Sequence, residues 1–104
     1  EEIIMSHPYY AVIFTSVRTS NDDGYALVAK QMLDLAAQQV GFIGVESARE
    51  QIGITVSYWQ TLADIAQWKQ QIDHQLAQKK GREMWYANYT VRICKVEREY
   101  GFKA

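Results

Sequence analysis

The chain has 104 residues, of which 48% are hydrophobic, and its 11 basic and 12 acidic side chains leave a formal net charge of −1. This length predicts a single domain, spanning residues 1–104, with a buried core and no room for a second domain. The balanced charge offers no field of one sign to attract nucleic acid or an anionic membrane. Since no stretch approaches the roughly 20 apolar residues of a membrane span, we expect a cytoplasmic protein.

The first part of the chain predicts a strand followed by a helix. Tyr9 to Val17 are rich in β-branched and aromatic residues and apolar at odd and even positions, which predicts a strand covered on both faces. Asn21 or Asp22 is expected to cap a helix whose apolar stripe extends from Tyr25 to Val40. Gly41 is expected to stop that helix in the left-handed conformation.

The second part predicts two strands, a helix and a final strand. Phe42 to Ser47 and Ile52 to Trp59 are expected to pair as a hairpin. Thr61 is a natural N-cap for a second helix that extends to about Lys80, and Asn88 to Val96 form the last strand. Right-handed crossovers then place both helices on one face of a four-stranded antiparallel sheet. The sequence therefore predicts a ferredoxin-like α+β sandwich of order βαββαβ.

The sheet is predicted to have one face that the helices cannot cover. The last strand carries Val91 and Ile93 on one side and Cys94 and Val96 on the other, so both sides are apolar. An apolar sheet face of this size is typical of a protein interface or ligand site. We expect a homodimer in which the open faces pack on each other about a two-fold axis. Cys94, the single cysteine, is expected to be a small buried hydrophobe.

Familiar catalytic motifs are missing from the sequence. There is no Gly-rich phosphate loop, no Gly-x-Ser-x-Gly elbow, no cysteine pair and no His-Glu-x-x-His motif, and the histidines are His7 and His74. This argues against a metal site built by the protein. What remains is a polar and aromatic set that either lines a pocket for a planar substrate or fills the core and dimer contact. Its members are Tyr10, Phe14, Tyr25, Tyr58, Trp59, Trp68, His74, Trp85, Tyr86 and Tyr89.

Helical geometry leaves two interpretations for the candidates on the second helix. The apolar stripe of this helix is predicted to consist of Leu62, Ile65, Ala66, Ile72 and Leu76. On a straight helix His74 projects nearly opposite that stripe, so it is either a solvated histidine or turned into a pocket by a kink. Trp68 lies beside the stripe and either packs in the core or contacts a substrate.

Several segments together resemble the antibiotic biosynthesis monooxygenase family of dimeric α/β barrels. They are Tyr9–Ser16, Gly41–Ser47, Trp68–His74, Ala77, Gly81, Trp85-Tyr86, Tyr89 and Val91–Tyr100. The resemblance covers about Tyr9 to Tyr100 and implies a ferredoxin-like subunit, a homodimer closed through the sheets, and a pocket between sheet and helices. It is closest to a stand-alone bacterial subgroup of that family.

The resemblance also implies an activity and a set of site residues. The best-known members oxidise aromatic polyketides with molecular oxygen and without flavin, haem or metal, because the deprotonated substrate itself reduces oxygen. This implies no cofactor and a small aromatic, quinol or polyketide-like substrate, which Trp68 orients while His74 relays a proton. The residues expected to line the substrate site are Phe14, Tyr25, Tyr58, Trp85 and Tyr86.

Two alternatives remain. A haem-degrading branch of the family uses an Asn on the first strand and a His further along the second helix, but this first strand lacks Asn and His74 comes too early, which disfavours haem. The other alternative is a non-catalytic dimer that binds a small hydrophobic metabolite, since folds of this size host many unrelated functions.

Overall fold

The computed structural model describes residues 2–3, 8–79 and 84–104, with the backbone alone described for residues 2, 3 and 74–79. The elements, in chain order, are β1 (Glu2–Ile3), β2 (Tyr9–Arg18), α1 (Tyr25–Ala37), β3 (Phe42–Arg49), β4 (Gly53–Trp59), α2 (Leu62–Lys79), β5 (Tyr86–Val96) and β6 (Tyr100–Gly101).

The main sheet has the strand order β3-β4-β2-β5, and every neighbouring pair is antiparallel. With α1 following β2 and α2 following β4, this order confirms the ferredoxin-like α+β fold with two central and two edge strands. The short β1 and β6 form a separate antiparallel pair that the sequence did not predict. Within the described part of the chain, no helix is long and apolar enough to cross a membrane.

The core lies between the helices and one end of the sheet. Val12 from β2, Trp59 from β4, Ala36 from α1 and Ile65 from α2 form a buried cluster, and Trp59 is 0% exposed. Around this cluster pack the partly buried side chains of Tyr10, Phe42 and Trp68. The helices therefore pack against the sheet mainly at the end of β4 and the beginning of β2.

The start of α1 differs from the predicted cap. The residue before the helix is Gly24, with φ 73°, and no side chain caps the helix, so the expectation for Asn21 and Asp22 is wrong. Asn21 Oδ1 instead accepts the backbone N–H of Asp23 at 2.9 Å, and Asp22 Oδ1 pairs with the Arg18 guanidinium at 2.8 Å. These side chains stabilise the turn before the helix, because the left-handed glycine separates them from the first helical turn.

The connections at the other end of the sheet largely follow the prediction. Gly41 is left-handed, with φ 83°, although α1 already ends at Ala37. Thr61 caps α2, because its Oγ1 accepts the backbone N–H of Asp64 at 3.1 Å. The predicted end of α2 near Lys80 lies outside the described residues.

The buried stripe of α2 is rotated from its predicted position. Ile65 is buried and Ile72 is half-buried, as expected, but Leu62 and Ala66 are exposed. Trp68 turns inward in their place, because its ring packs against Trp59 with the ring centroids 4.9 Å apart.

The second face of the sheet is left open by both helices. Its apolar side chains include Ile13 from β2 and Ile54 and Val56 from β4, and Ile54 is exposed. Cys94 of β5 is also exposed on this face, so its expected burial is wrong for the single chain. The cysteine pattern could not show this, since burial there depends on what covers the open face.

Candidate functional site

Four aromatic side chains, Phe14, Tyr25, Tyr86 and Tyr89, come together at the end of the helix-facing side opposite the Trp59 core. We call these four residues the aromatic cluster. Phe14 and Tyr89 stack with centroids 5.3 Å apart, and Tyr86 meets Phe14 edge-on at 5.6 Å and Tyr89 at 5.8 Å. Tyr25 approaches Tyr86 edge-on at 6.1 Å. Edge-on and stacked pairs at these distances are mutually favourable.

An irregularity in the β2–β5 pairing puts two of these tyrosines on one face. Tyr86 and Tyr89 are three residues apart, and an odd spacing in a regular strand sends side chains to opposite faces. Here the register shifts beside Val17 and Arg18, with Arg18 opposite Tyr86 and Val17 opposite Asn88. The extra residue on β5 turns Tyr86 back toward Tyr89, as a bulge does.

The cluster continues into an uncovered apolar strip along β5. Tyr89, Val91 and Ile93 lie on the helix-facing side, since they pair with Ser16, Phe14 and Val12 of β2. They are nevertheless 38%, 44% and 50% exposed. Within the described residues, the helices thus cover β4 and leave these β5 side chains on the same sheet face partly exposed to solvent.

Two arginines flank the cluster. The Arg18 guanidinium carbon lies 3.3 Å from the centroid of the Tyr25 ring, a cation–π contact, and its charge is paired with Asp22. The Arg49 guanidinium donates a hydrogen bond to Ser16 Oγ. Positive charge therefore borders an otherwise aromatic site.

The Tyr86 hydroxyl is held in its neutral form. Burial, followed by the neighbouring hydroxyl of Tyr25, raises the pKa of Tyr86 well above its usual value, and the charges of Arg49 and Arg18 offset only part of this effect. Near neutral pH the Tyr86 phenol therefore keeps its proton and has an O–H that can donate a hydrogen bond.

Of the predicted substrate residues, Phe14, Tyr25 and Tyr86 are brought together in the cluster. Trp85 lies behind it, buried, with its ring edge-on to Tyr25 at 5.8 Å and its indole N–H donating to the Asp23 carbonyl at 2.8 Å. That hydrogen bond and a further one, from the Thr19 N–H to the Trp85 carbonyl at 2.9 Å, fix the turn before α1 against the start of β5.

Tyr58 lies apart from the cluster, on the open sheet face. Its hydroxyl donates to Glu46 Oε1 at 2.8 Å, and its ring meets Tyr9 edge-on at 6.0 Å. Tyr9 in turn donates to the Glu99 carboxylate. Substrate binding in the cluster would not involve Tyr58 within one chain.

Trp68 and His74 were predicted to carry the chemistry. Trp68 borders the core, and its indole Nε1 is buried without a hydrogen-bond partner in the described part of the chain. His74 lies within α2, and its side chain is outside the described residues. No group of three or more His, Cys, Asp or Glu side chains that could hold a metal occurs among the residues that the structure describes.

Three polar residues at the site were not predicted from the sequence. They are Ser16, Arg18 and Arg49. Ser16 lies within the predicted first strand, whose apolar residues occupy odd and even positions, whereas Arg18 and Arg49 lie just past the predicted ends of their strands. A usable signal was Gly53, because a glycine in a strand can mark the close approach of another group.

Comparison with known proteins gives a near relative and a set of distant structural matches. The chain is 52% identical over 98 residues to the uncharacterised protein YqjZ of Bacillus subtilis (strain 168). The matched region covers 92% of this chain and 86% of YqjZ. No protein-family model matches the chain.

The structural matches share the fold at low sequence identity. One, from Nitrosomonas europaea, is named among the antibiotic biosynthesis monooxygenases, with a TM-score of 0.65 and 15% identity over 89% of this chain and 93% of that one. Another is SnoaB of Streptomyces nogalater, a cofactor-independent oxygenase, with a TM-score of 0.64 and 12% identity over 95% of this chain and 100% of that one. The chain therefore belongs to the family of YqjZ and has the fold of the antibiotic biosynthesis monooxygenase structures.

Proposed function

We propose that this chain is a cofactor-independent monooxygenase that oxidises a small aromatic, quinol or polyketide-like substrate with molecular oxygen. The observation that carries the proposal is the open aromatic cluster, which continues into the exposed strip of Val91 and Ile93 on the helix-facing side of the sheet. The shared fold with SnoaB, a cofactor-independent oxygenase, supports it.

The aromatic cluster suits a planar substrate. A ring that enters beside Phe14 and Tyr89 can stack or meet them edge-on, and each such pair contributes about 0.5–1.5 kcal/mol beyond the area it buries. Val91 and Ile93 would cover the rest of the substrate and remove water from it. A water-poor site strengthens the hydrogen bonds that hold a charged intermediate.

The chemistry that we propose draws its electrons from the substrate. A substrate methylene beside a phenol or ketone loses a proton, and the resulting carbanion forms a C–O bond with oxygen. The peroxide anion formed takes up a proton and becomes a hydroperoxide. Loss of water from the hydroperoxide then leaves a carbonyl, so CH₂ and O₂ become C=O and H₂O. The protein has to accept the first proton and stabilise negative charge on the substrate oxygen.

Three side chains are proposed for these tasks. Tyr86 remains a phenol near neutral pH and can donate to the substrate oxygen as charge develops on it. The unpartnered Nε1–H of Trp68 is a second donor, because a buried donor without a partner gains a full hydrogen bond when a ligand oxygen reaches it. His74 is proposed as the proton relay.

We further propose that the protein is a cytoplasmic homodimer closed through the open sheet faces. The exposed Ile54 and Cys94 lie on that face with Ile13 and Val56, and packing two copies would remove this apolar surface from water. Sedimentation at micromolar concentration tests this proposal, and a monomer would contradict it.

The activity is tested by oxygen uptake of flavin-free and metal-free protein with a panel of quinols and polycyclic phenols. We expect turnover by the wild type, its loss in His74→Ala, and a decrease in Trp68→Phe, in which a smaller aromatic ring without the N–H donor replaces the indole. Val40→Ala, at an exposed residue outside the site, is the matched control and should retain full activity. Unchanged uptake in His74→Ala would refute the role of that residue. Ligand binding without any uptake would favour the non-catalytic binding protein.

A further inference from the structure

We propose that Arg49 binds a carboxylate on the aromatic substrate, so that the preferred ligands are aromatic carboxylic acids. This inference rests on the proposed function in one respect, because it places the substrate ring in the same aromatic cluster. Nothing in the monooxygenase chemistry itself requires a carboxylate, and binding can be measured without turnover.

Arg49 lies at one end of a row of residues that crosses the main sheet. Arg49 pairs with Gly53, Gly53 pairs with Ser16, and Ser16 pairs with Tyr89, so these four residues form one row across the four strands. The row ends at the Phe14–Tyr89 stack. A cation anchored in this row therefore borders the ring-binding surface.

Gly53 provides the space that the Arg49 side chain occupies. The Arg49 side chain lies across this glycine to reach Ser16 Oγ, and a Cβ at Gly53 would collide with its guanidinium. Gly53 is buried, and its backbone conformation is an ordinary extended one. Because Gly53 has no side chain, the Arg49 guanidinium can lie across it on the sheet, beside the aromatic cluster.

The positive charge of Arg49 has no carboxylate partner among the residues that the structure describes. Arg18 is neutralised by Asp22 at 2.8 Å, whereas no carboxylate in the described part of the chain lies within ion-pair distance of Arg49. Ser16 takes up one N–H of a group that carries five donors. The planar fork that remains matches the two oxygens of a carboxylate, which is the geometry guanidinium groups bind best.

The two arginines therefore have different tasks. Arg18 lies over the Tyr25 ring and donates hydrogen bonds to Asp22 and to the Asn21 carbonyl. We therefore assign it a structural role beside the aromatic cluster. Arg49 is exposed at the rim, with its guanidinium anchored at one point. A ring stacked on Phe14 and Tyr89 would direct a carboxylate toward Arg49.

The test compares anaerobic binding of 1-hydroxy-2-naphthoate and 1-naphthol to the full chain by isothermal titration calorimetry. We expect the naphthoate to bind about 10- to 100-fold more tightly than the naphthol, as for a charge-assisted hydrogen bond. Arg49→Gln should abolish this preference, and Gly53→Ala should reduce it while the arginine remains. Arg98→Gln removes an exposed arginine elsewhere and should leave the preference unchanged.

The outcomes separate this inference from the proposed function. Equal binding of the two probes by the wild type, or an unchanged preference in Arg49→Gln, overturns the carboxylate site while the aromatic site stands. Binding of neither probe contradicts the aromatic site and the inference with it. A preference that depends on Arg49, found in a protein without oxygen uptake, supports the inference and contradicts the monooxygenase. Urea denaturation of each variant verifies that it is folded.

Discussion

The two ends of the helix-facing side use the same kind of residue in opposite ways. At one end Trp59 is fully buried, its indole N–H donates to Ser57 Oγ at 2.9 Å, and both helices pack against it. At the other end Phe14, Tyr86 and Tyr89 contact one another, and Tyr89 remains partly exposed. Aromatic content alone therefore does not distinguish core from site; coverage by the helices and satisfaction of polar atoms do.

Trp68, at the core end, shares one property with a binding site. Its ring belongs to the core, because it packs against Trp59, but its indole N–H lacks the partner that Trp59 and Trp85 each have. A native protein leaves few buried donors unpaired, so each one requires an explanation. A substrate oxygen is the explanation that we propose.

Truncation of one aromatic residue at each end should show the largest difference between the two ends. Trp59→Ala should lower the free energy of unfolding by about 3–5 kcal/mol, since it removes a fully buried ring. Tyr89→Ala should cost less than about 1.5 kcal/mol, because its ring is already partly in water. Urea denaturation at one fixed protein concentration measures both, and equal losses would contradict the distinction between the two ends.

A second test concerns the backbone at the closed end. Gly41→Ala should cost about 1–3 kcal/mol, because φ is 83° and the added Cβ would collide with the Asp64 side chain. Gly44→Ala is the matched control, since its Cβ would meet nothing within 4 Å and its φ is not positive. Thermal and urea unfolding of the pair measure the difference. A loss in Gly44→Ala as large as in Gly41→Ala would show that strain at Gly41 is not the cause.

A smaller effect is expected at the start of α2. Thr61→Ala should lower the free energy of unfolding by about 1 kcal/mol, because it leaves the Asp64 backbone N–H without its acceptor. Thr61→Ser retains an oxygen that can cap the helix and should recover most of the loss. Failure of the serine variant to recover stability would argue against capping as the reason.

The smallest effect on stability is predicted for Tyr9, on the open face of the sheet, at alkaline pH. The hydrogen bond to Glu99, followed by burial, raises the pKa of Tyr9 from 10.0 to about 12. Between these values the folded chain retains a proton that the unfolded chain releases, so this contribution to stability is full below pH 10 and is lost as the pH rises toward 12. Tyr9→Phe should therefore lose stability less steeply than the wild type over that range. The free energy of unfolding of both proteins is measured by urea denaturation at a series of pH values. An equally steep loss of stability in both would contradict the assignment of this pH dependence to Tyr9.

Most of the fold could be predicted because its signals are local. The strands, the helices and the Thr61 cap depend on residues close in sequence, and the structure confirms them. Gly41 is left-handed as expected, but it does not end α1, which stops at Ala37. The predicted N-cap of α1 was wrong because Asn21 and Asp22 are residue types that favour turns as well as caps. The left-handed conformation of Gly24 decides that they belong to the turn.

The site was less predictable because it depends on pairing between distant strands. Tyr86 and Tyr89 share a face through a register shift that their spacing does not reveal. Arg49 reaches the site only because Gly53 lies opposite it in the hairpin and Ser16 lies one strand further. The separation of Tyr58 from the other candidates likewise follows from the register, which places it on the open face.

The most direct test of the proposed site is oxygen uptake by Tyr86→Phe compared with the wild type, on whichever quinol or phenol the panel identifies as a substrate. The variant retains the ring and loses only the hydroxyl, so the free energy of unfolding should change by less than about 1.5 kcal/mol. If Tyr86 donates to the developing oxyanion, uptake at saturating substrate should fall about 100-fold. Full activity in a folded Tyr86→Phe protein, or no uptake by the wild type on any member of the panel, would contradict the assignment of this cluster as an oxygenase site.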